Sequence, residues 1–371
     1  MNSEKRLYEY KGEAASAPGD TLRETLDAIG MSQSDLSRRT GLTPKTISGI
    51  INGKEPLSQQ TALQLETVLG VPASLWNNLE RQYQEYRARS VQAEQMRAQK
   101  GWLRRFPMRQ LLEWAWVECC DDVAQQVLAL LRFFGCASPE QCDTYLQRAA
   151  VQYRTSAAFT ADDYALSAWL RQGERVAQEL SCGAYNADIF RQALQDARKL
   201  TTEAPQVFAP ELQELCATAG VAVVFVHELP GIRASGAARW LTPDKALIQL
   251  NLRYKSNDQL WFSFFHEAGH VLLHGKLQVF VDRQDGEQND LERGADRFAR
   301  DTLIPARAYS SFVQRGKFTS SAVTAFAREQ GIAPGIVVGR LQHEEHVEHS
   351  MLNNLKQRLI WVEKDRDAQG A

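Results

Sequence analysis

The sequence predicts a mainly α protein with one small β-sheet. It is expected as an N-terminal five-helix domain, a helical middle region and a C-terminal α+β domain. Three observations carry this. Apolar residues recur at helical spacing along most of the chain, with glycines at the breaks. The texture changes at Gly220, where the β-branched run V-A-V-V-F-V-H opens a series of short strand-like runs over 221–252. Directly after them, two histidines stand four residues apart in a densely apolar segment, L-W-F-S-F-F-H-E-A-G-H.

At 371 residues the chain is too long for one ordinary domain, and its 44% hydrophobic content is ample for buried cores. The formal net charge of −2 excludes a general basic field, so any DNA contact must come from a local patch. No run of about 18 apolar residues exists, which excludes a membrane partner of the helical kind. Met1 to Asp20 is polar and lacks the apolar centre of a signal peptide, so a cytoplasmic location is expected. Six cysteines without a C-x-x-C pair read as reduced, buried thiols.

Residues 1–19 read as a loose arm. The unit over 20–85 places Leu22, Leu26, Leu36, Ile47, Ile50, Ile51, Leu65 and Val68 at helical spacing, with breaks at Gly30, Gly41, Gly53 and Gly70. Within it, S-Q-S-D-L-S-R-R-T-G-L-T-P-K-T-I-S-G-I-I-N-G-K spells a helix, a turn at Gly41 and a second helix, capped by Thr43 with Pro44 at its first position. On that second helix Lys45, Thr46, Ser48 and Asn52 face outward, the layout of a helix that reads a major groove. Thr43 stands at its start. Gln33 and Lys54 are candidates for phosphate contacts. Counted over 20–72 there are five basic and six acidic residues, so affinity for double-stranded DNA needs dimerisation, and a homodimer is expected.

A charged, helix-forming stretch free of Gly and Pro leads out from Asn77. Residues 86–200 stay helical, with Trp114, Trp116, Val117, Val123, Val127, Leu130 and Leu131 as core candidates, and read as a linker or interaction domain. In the domain expected over 201–315, the runs 221–227, 235–241 and 245–252 form a small antiparallel sheet. One helix starts after Asn257-Asp258, taken as its cap. A second runs from about Asp290 to Leu303 and stops near Pro305. In the helical segment 316–371, residues 327–341 align without gaps to 37–51. This echo reads as packing structure. The late H-E-E-H-V-E-H at 343–349 reads as a solvated helix end rather than a metal site.

His266 and His270 share a helix face one turn apart, which suits two ligands of one zinc ion, and Glu267 beside them suits a base. A buried carboxylate with no function would lose its solvation for no gain. Zinc in a catalytic site takes three protein ligands and keeps a fourth position for water. Glu292, on the second helix, is the candidate third ligand. Asp296, one turn further, would fix a histidine tautomer. The alternative is a solvated acidic face, since Asp282, Asp285, Glu287 and Asp290 lie nearby. His274 follows one turn after His270 and reads as a supporting or substrate-side group. The expected chemistry is proton transfer through Glu267 to a leaving amine. The run 235–241 is expected to pair with an extended peptide as an edge strand, with Arg239 and Trp240 flanking it.

F-F-H-E-A-G-H-V-L-L-H followed by E-R-G-A-D-R-F-A-R-D-T-L-I-P resembles the ImmA/IrrE metallopeptidases over about 220–345. That resemblance implies a gluzincin-type domain, zinc on His266, His270 and Glu292, and Glu267 as the catalytic residue. Arg300-Asp301 departs from the family's apolar continuation. Residues 18–84 resemble the XRE family of DNA-binding domains, in its HigA-like branch. Together the two resemblances imply a DNA-binding regulator that cleaves or inactivates a regulatory protein in stress or mobile-element control. The alternative they leave open is the antitoxin and autorepressor of a toxin–antitoxin pair, with the peptidase fold binding the toxin and turning over little. A third reading is a plain metalloprotease whose N-terminal domain only dimerises.

Overall fold

The computed structural model describes residues 15–152, 161–274, 280–283 and 290–361. Residues 1–14 of the expected arm, Asp285 and Glu287 of the acidic run, and the end of the chain after 361 lie outside these. The chain divides into two compact units, Met1–Lys100 with Asp121–Val127, and Gly101–Cys120 with Leu128–Ala371.

The first unit opens with α1 (Pro18–Ala28), α2 (Gln33–Thr40), α3 (Pro44–Ile51), α4 (Gln59–Leu69) and α5 (Ala73–Ala98). Pro18 and Gly19 therefore belong to the first helix, not to the arm. The helix ends follow local chemistry. Ser32, Thr43 and Ser58 each accept a backbone N–H three residues on, at 3.1 Å. Gly41 and Gly70 close α2 and α4 in the left-handed region, at φ 79° and 71°. The inward residues Leu22, Leu26, Leu36, Ile47, Ile50, Ile51, Leu65 and Trp76 form one core. Gly19 abuts the backbone of Ile50 and Ile51, so α1 and α3 touch with no side chain between them. α5 begins four residues before Asn77. Between residues 81 and 95 it exposes nearly every side chain, and Arg81 and Arg89 pair with Glu85 one turn away.

The helices that follow are α6 (Lys100–Leu103), α7 (Met108–Glu113), α8 (Val123–Phe134), α9 (Pro139–Gln152), α10 (Ala161–Glu179), α11 (Ala187–Lys199) and α12 (Pro205–Thr218). Of the expected core residues here, Trp116, Val117, Val127, Leu130 and Leu131 are buried, while Trp114 and Val123 are half-buried. The cysteines depart from expectation. Only Cys142 and Cys216 are buried, and Cys119 is exposed. Cys119 and Cys120 fall in the connection between α7 and α8, where no helix face shelters them.

The sheet holds four strands among the described residues: β1 (Val221–Phe225), β2 (Ala234–Thr242), β3 (Lys245–Leu250) and β4 (Phe280–Arg283), in the order β1-β3-β2-β4. It is mixed, not antiparallel throughout, because β1 pairs with β3 in parallel. After β1 the chain turns through Leu229–Ile232 and lays down β2, and the hairpin then returns β3 between them. β3 takes the central place because Ala246 to Leu250 are buried on both faces. β4 was not anticipated. It pairs with β2, so β2 is hydrogen-bonded on both sides and is not the edge expected for 235–241.

One face of the sheet, with Val221, Val223, Ala238, Ala246, Ile248 and Leu250, packs against Trp261, Phe264, Phe265 and Ala268 of α13 (Asn257–Leu273). The other face meets α10, where Gln249 donates to the Trp169 carbonyl at 2.7 Å. Around α13 lie α14 (Asp290–Leu303), α15 (Ala306–Gln314), α16 (Ser320–Gln330) and α17 (Pro334–His343). Asn257 and Asp258 do not cap α13; Ser256 holds that position, and both are buried inside the helix. Their side chains hold the C-terminal segment instead. Asn257 Oδ1 accepts the Gln357 N–H at 3.0 Å, and Asp258 pairs with Lys356 at 2.7 Å. The late echo is present in the backbone: α16, Gly331 at φ 65° and Pro334 repeat α2, Gly41 and Pro44. Ile336, Val337, Val338 and Leu341 of α17 are buried in the core around α13, so the repeat serves packing.

Candidate metal centre and nucleic-acid interface

α13 is buried along nearly its whole length, which brings two imidazoles and a carboxylate into the interior. His266, Glu267 and His270 are 3%, 0% and 1% exposed. Gly269 sets how closely α14 approaches. A Cβ there would lie 3.1 Å from the Ala295 Cα and 3.2 Å from the Phe298 ring, tighter than side chains ordinarily pack. The small residues Ala295 and Ala299 complete this contact from α14 and turn Glu292 and Asp296 toward the histidines.

Three donor atoms converge there. His266 Nε2 and His270 Nε2 are 3.0 Å apart, and Glu292 Oε2 lies 3.1 Å from the first and 3.3 Å from the second. A tetrahedral ion with bonds of about 2.0–2.1 Å holds its ligand atoms roughly 3.3 Å apart, so the triangle has the size zinc requires. His266, His270 and Glu292 are the only such group among the described residues. The histidines of 343–349 form none.

The other ring nitrogens are also engaged. An ion on Nε2 leaves the proton on Nδ1. His266 Nδ1 then donates to Asp296 Oδ1 at 3.0 Å, and His270 Nδ1 donates to His274 Nδ1 at 2.9 Å. Burial, with the neighbouring His270, lowers the pKa of His274, a direction that favours the neutral ring an acceptor requires. For Glu292, burial raises the pKa, but hydrogen bonds from His266 and His270 outweigh it and hold the carboxyl at about 2. It is therefore ionised at neutral pH, as a ligand must be. Asp296→Asn is expected to weaken zinc affinity by about 10–100-fold, measured by competition with a chromophoric chelator.

Glu267 stands against β2, beside Gly236. In the sequence, a glycine inside a strand is the signal that could mark such a close approach. Unanticipated are the clamps on the C-terminal end of α14. Arg198 donates to the Leu303 carbonyl at 3.0 Å, and Arg340 donates to the Arg300 and Ile304 carbonyls. No local pattern marks these contacts, which span 36 to 105 residues. Asp301, part of the departure from the resembled family, is exposed and away from the ligands.

Arg239 and Trp240 do not fill the places expected of them. Neighbours on a strand face opposite ways. Arg239 points to α10, donating to the Leu170 carbonyl at 2.7 Å, on the face away from α13. Trp240 packs edge-on against Tyr185 at 4.7 Å. Neither is brought to the histidine pair.

In the first unit, Gln33, Lys45, Ser48, Asn52 and Lys54 are exposed, and Thr46 is half-buried. Thr43 is exposed, yet its hydroxyl is occupied as the cap of α3, 3.0 Å from the Thr46 hydroxyl. Asn52 donates to the Ser48 carbonyl at 2.7 Å. The Ser48 hydroxyl accepts from the same Asn52 amide at 3.2 Å, so Lys45 is the side chain of α3 with the most freedom to meet a base edge. Lys45→Ala is expected to cost about 1–3 kcal/mol of operator affinity, and Lys54→Ala to reduce the salt slope of binding by about one, both read from fluorescence-anisotropy titrations.

Residues 22–76 match the helix-turn-helix family, and residues 222–341 match the IrrE N-terminal-like domain family. The uncharacterized HTH-type transcriptional regulator YddM of Escherichia coli (strain K12) is 33% identical over 63 residues, covering 17% of this chain and 67% of that protein. Among solved structures, an addiction module antidote protein of a HigA family from Coxiella burnetii shares 25% identity, with a TM-score of 0.22, over 22% of this chain and 91% of its own. An antidote protein of a plasmid maintenance system from Nostoc punctiforme shares 24% identity, with a TM-score of 0.22, over 22% and 90%. No helix among the described residues is long and apolar enough to cross a membrane.

Proposed function

The chain belongs to the XRE-type helix-turn-helix proteins and carries an IrrE-like domain, and from that premise we propose a DNA-binding transcriptional regulator whose C-terminal domain is a zinc-dependent peptidase acting on a regulatory protein. One observation carries the peptidase half: three donor atoms, each within 3.3 Å of the other two, lie on the same helix pair as Glu267. His266, His270 and Glu292 would hold the ion. Zinc, when bound, lowers the pKa of a coordinated water and polarises a substrate carbonyl. Glu267 accepts a proton and delivers it to the leaving amine. Asp296 and His274 hold the two imidazoles in the ligating tautomer. β4, as the outer strand beside β2, is the backbone on which an extended peptide would pair.

On the DNA side, α3 enters the major groove of a double-stranded operator through Lys45 and Ser48. A homodimer in the cytoplasm would match two half-sites. The composite reading is tested by comparing protein N-termini in cells that make the wild type or Glu267→Gln. A new N-terminus that appears only with the wild type is the expected result. Identical sets would reduce the C-terminal domain to a binding module.

A further inference from the structure

Gly236, near the start of β2, is buried and opposite Leu250 of β3. It is absent from the glycines with positive φ, so its backbone conformation is open to any residue. Strand propensity disfavours glycine here. Gly236 pairs with β3, and on the β4 side it lies where the register shifts between Ala234 and Ala237, but a bulge does not demand glycine when φ is not positive. The missing side chain needs another reason, and the space supplies it. The three heavy atoms nearest an ideal Cβ at 236 all belong to Glu267: Oε1 at 2.7 Å, Cγ at 2.8 Å and Cδ at 3.1 Å. Two residues along on the same face, Ala238 carries its methyl group and packs in the core. The small-residue strand thus has one notch, and the carboxyl arm of Glu267 fills it.

We propose that Gly236 is a positioning residue for Glu267, its absent side chain leaving the slot that fixes where the buried carboxylate stands. This rests on the reading of Glu267 as proton acceptor. A glutamate side chain has three rotatable bonds, and a proton acceptor works only at hydrogen-bond reach of its proton. The slot selects one arrangement of the arm. The atoms that a methyl group would meet belong to that arm, not to backbone. The fold therefore accommodates alanine at 236, and the carboxylate moves instead.

The test uses the full chain loaded with cobalt(II) and the probe acetohydroxamate, a metal chelator that gives up a proton as it binds. Affinity is read from the visible absorption of cobalt. Gly236→Ala and Gly236→Ser are expected to retain about one cobalt per chain and to bind the probe at least about tenfold more weakly than the wild type, as Glu267→Gln does. Gly236→Ala added to Glu267→Gln is expected to weaken binding no further, and Ala238→Gly to bind as the wild type. Wild-type affinity in Gly236→Ala, with Glu267→Gln weakened, would overturn the positioning role and leave Glu267 in place. Wild-type affinity in Glu267→Gln would remove Glu267 as proton acceptor, and this inference with it. If Gly236→Ala alone does not fold, its combination with Glu267→Ala decides. Recovery of folding supports the slot, and failure overturns it.

Discussion

Glu267→Gln is expected to slow cleavage of the protein substrate by about 10²–10⁴-fold while leaving the zinc content unchanged. Glutamine has the shape of glutamate, so it fits beside Gly236 and leaves the packing of α13 intact. Its amide cannot accept the proton that the reaction must move. His266, His270 and Glu292 are untouched, so the ion stays. Initial rates on the substrate identified by its new N-terminus, with zinc measured in the same preparations, separate the two effects. A variant that loses zinc along with activity would show that the residue supports the site structurally.

Gly269→Val is expected to remove zinc without altering any ligand. Its branched side chain would have to enter a contact where a single Cβ already comes within 3.1 Å of the Ala295 Cα. α14 must then move away from α13, and Glu292 and Asp296 move with it. Overpacking of this kind costs about 1–3 kcal/mol, and loss of the third ligand follows from the displacement. Thermal unfolding reads both consequences. Added zinc should raise the midpoint of the wild type, because an ion that binds only the folded state stabilises it. Gly269→Val should start lower and respond little. A normal zinc response would show that the helix pair tolerates separation.

Much of the site could be read in the sequence because its signals are local. The i,i+4 spacing of His266 and His270 determines a shared face on any helix. The same holds for Glu292 and Asp296, and α14 runs from Asp290 to Leu303 as expected. Thr43, Pro44 and Gly41 mark the ends of α2 and α3 through bonds to residues a few positions away. What stayed hidden depends on distant partners. The run K-A-L-I-Q-L reads as a strand, but nothing within it says that β3 will lie between β1 and β2. Asn257 and Asp258 resemble a cap, and only the return of Lys356 and Gln357 gives them another use. Arg239 lies on a run that reads as an edge strand, and β4, paired with Ala234, Ala237 and Ala238, gives that strand a second neighbour. Gly236 was legible as an anomaly. Its meaning needed Glu267, which arrives from another element.

X-ray absorption spectroscopy of zinc in the purified full chain tests the central assignment most directly. The expected spectrum is one zinc per chain with two imidazole nitrogens and carboxylate or water oxygens at about 2.0–2.2 Å, and no metal in His266→Ala. Sulfur at about 2.3 Å would place the ion on cysteines instead, and a chain without zinc, or a His266→Ala variant that retains it, would contradict the site formed by His266, His270 and Glu292.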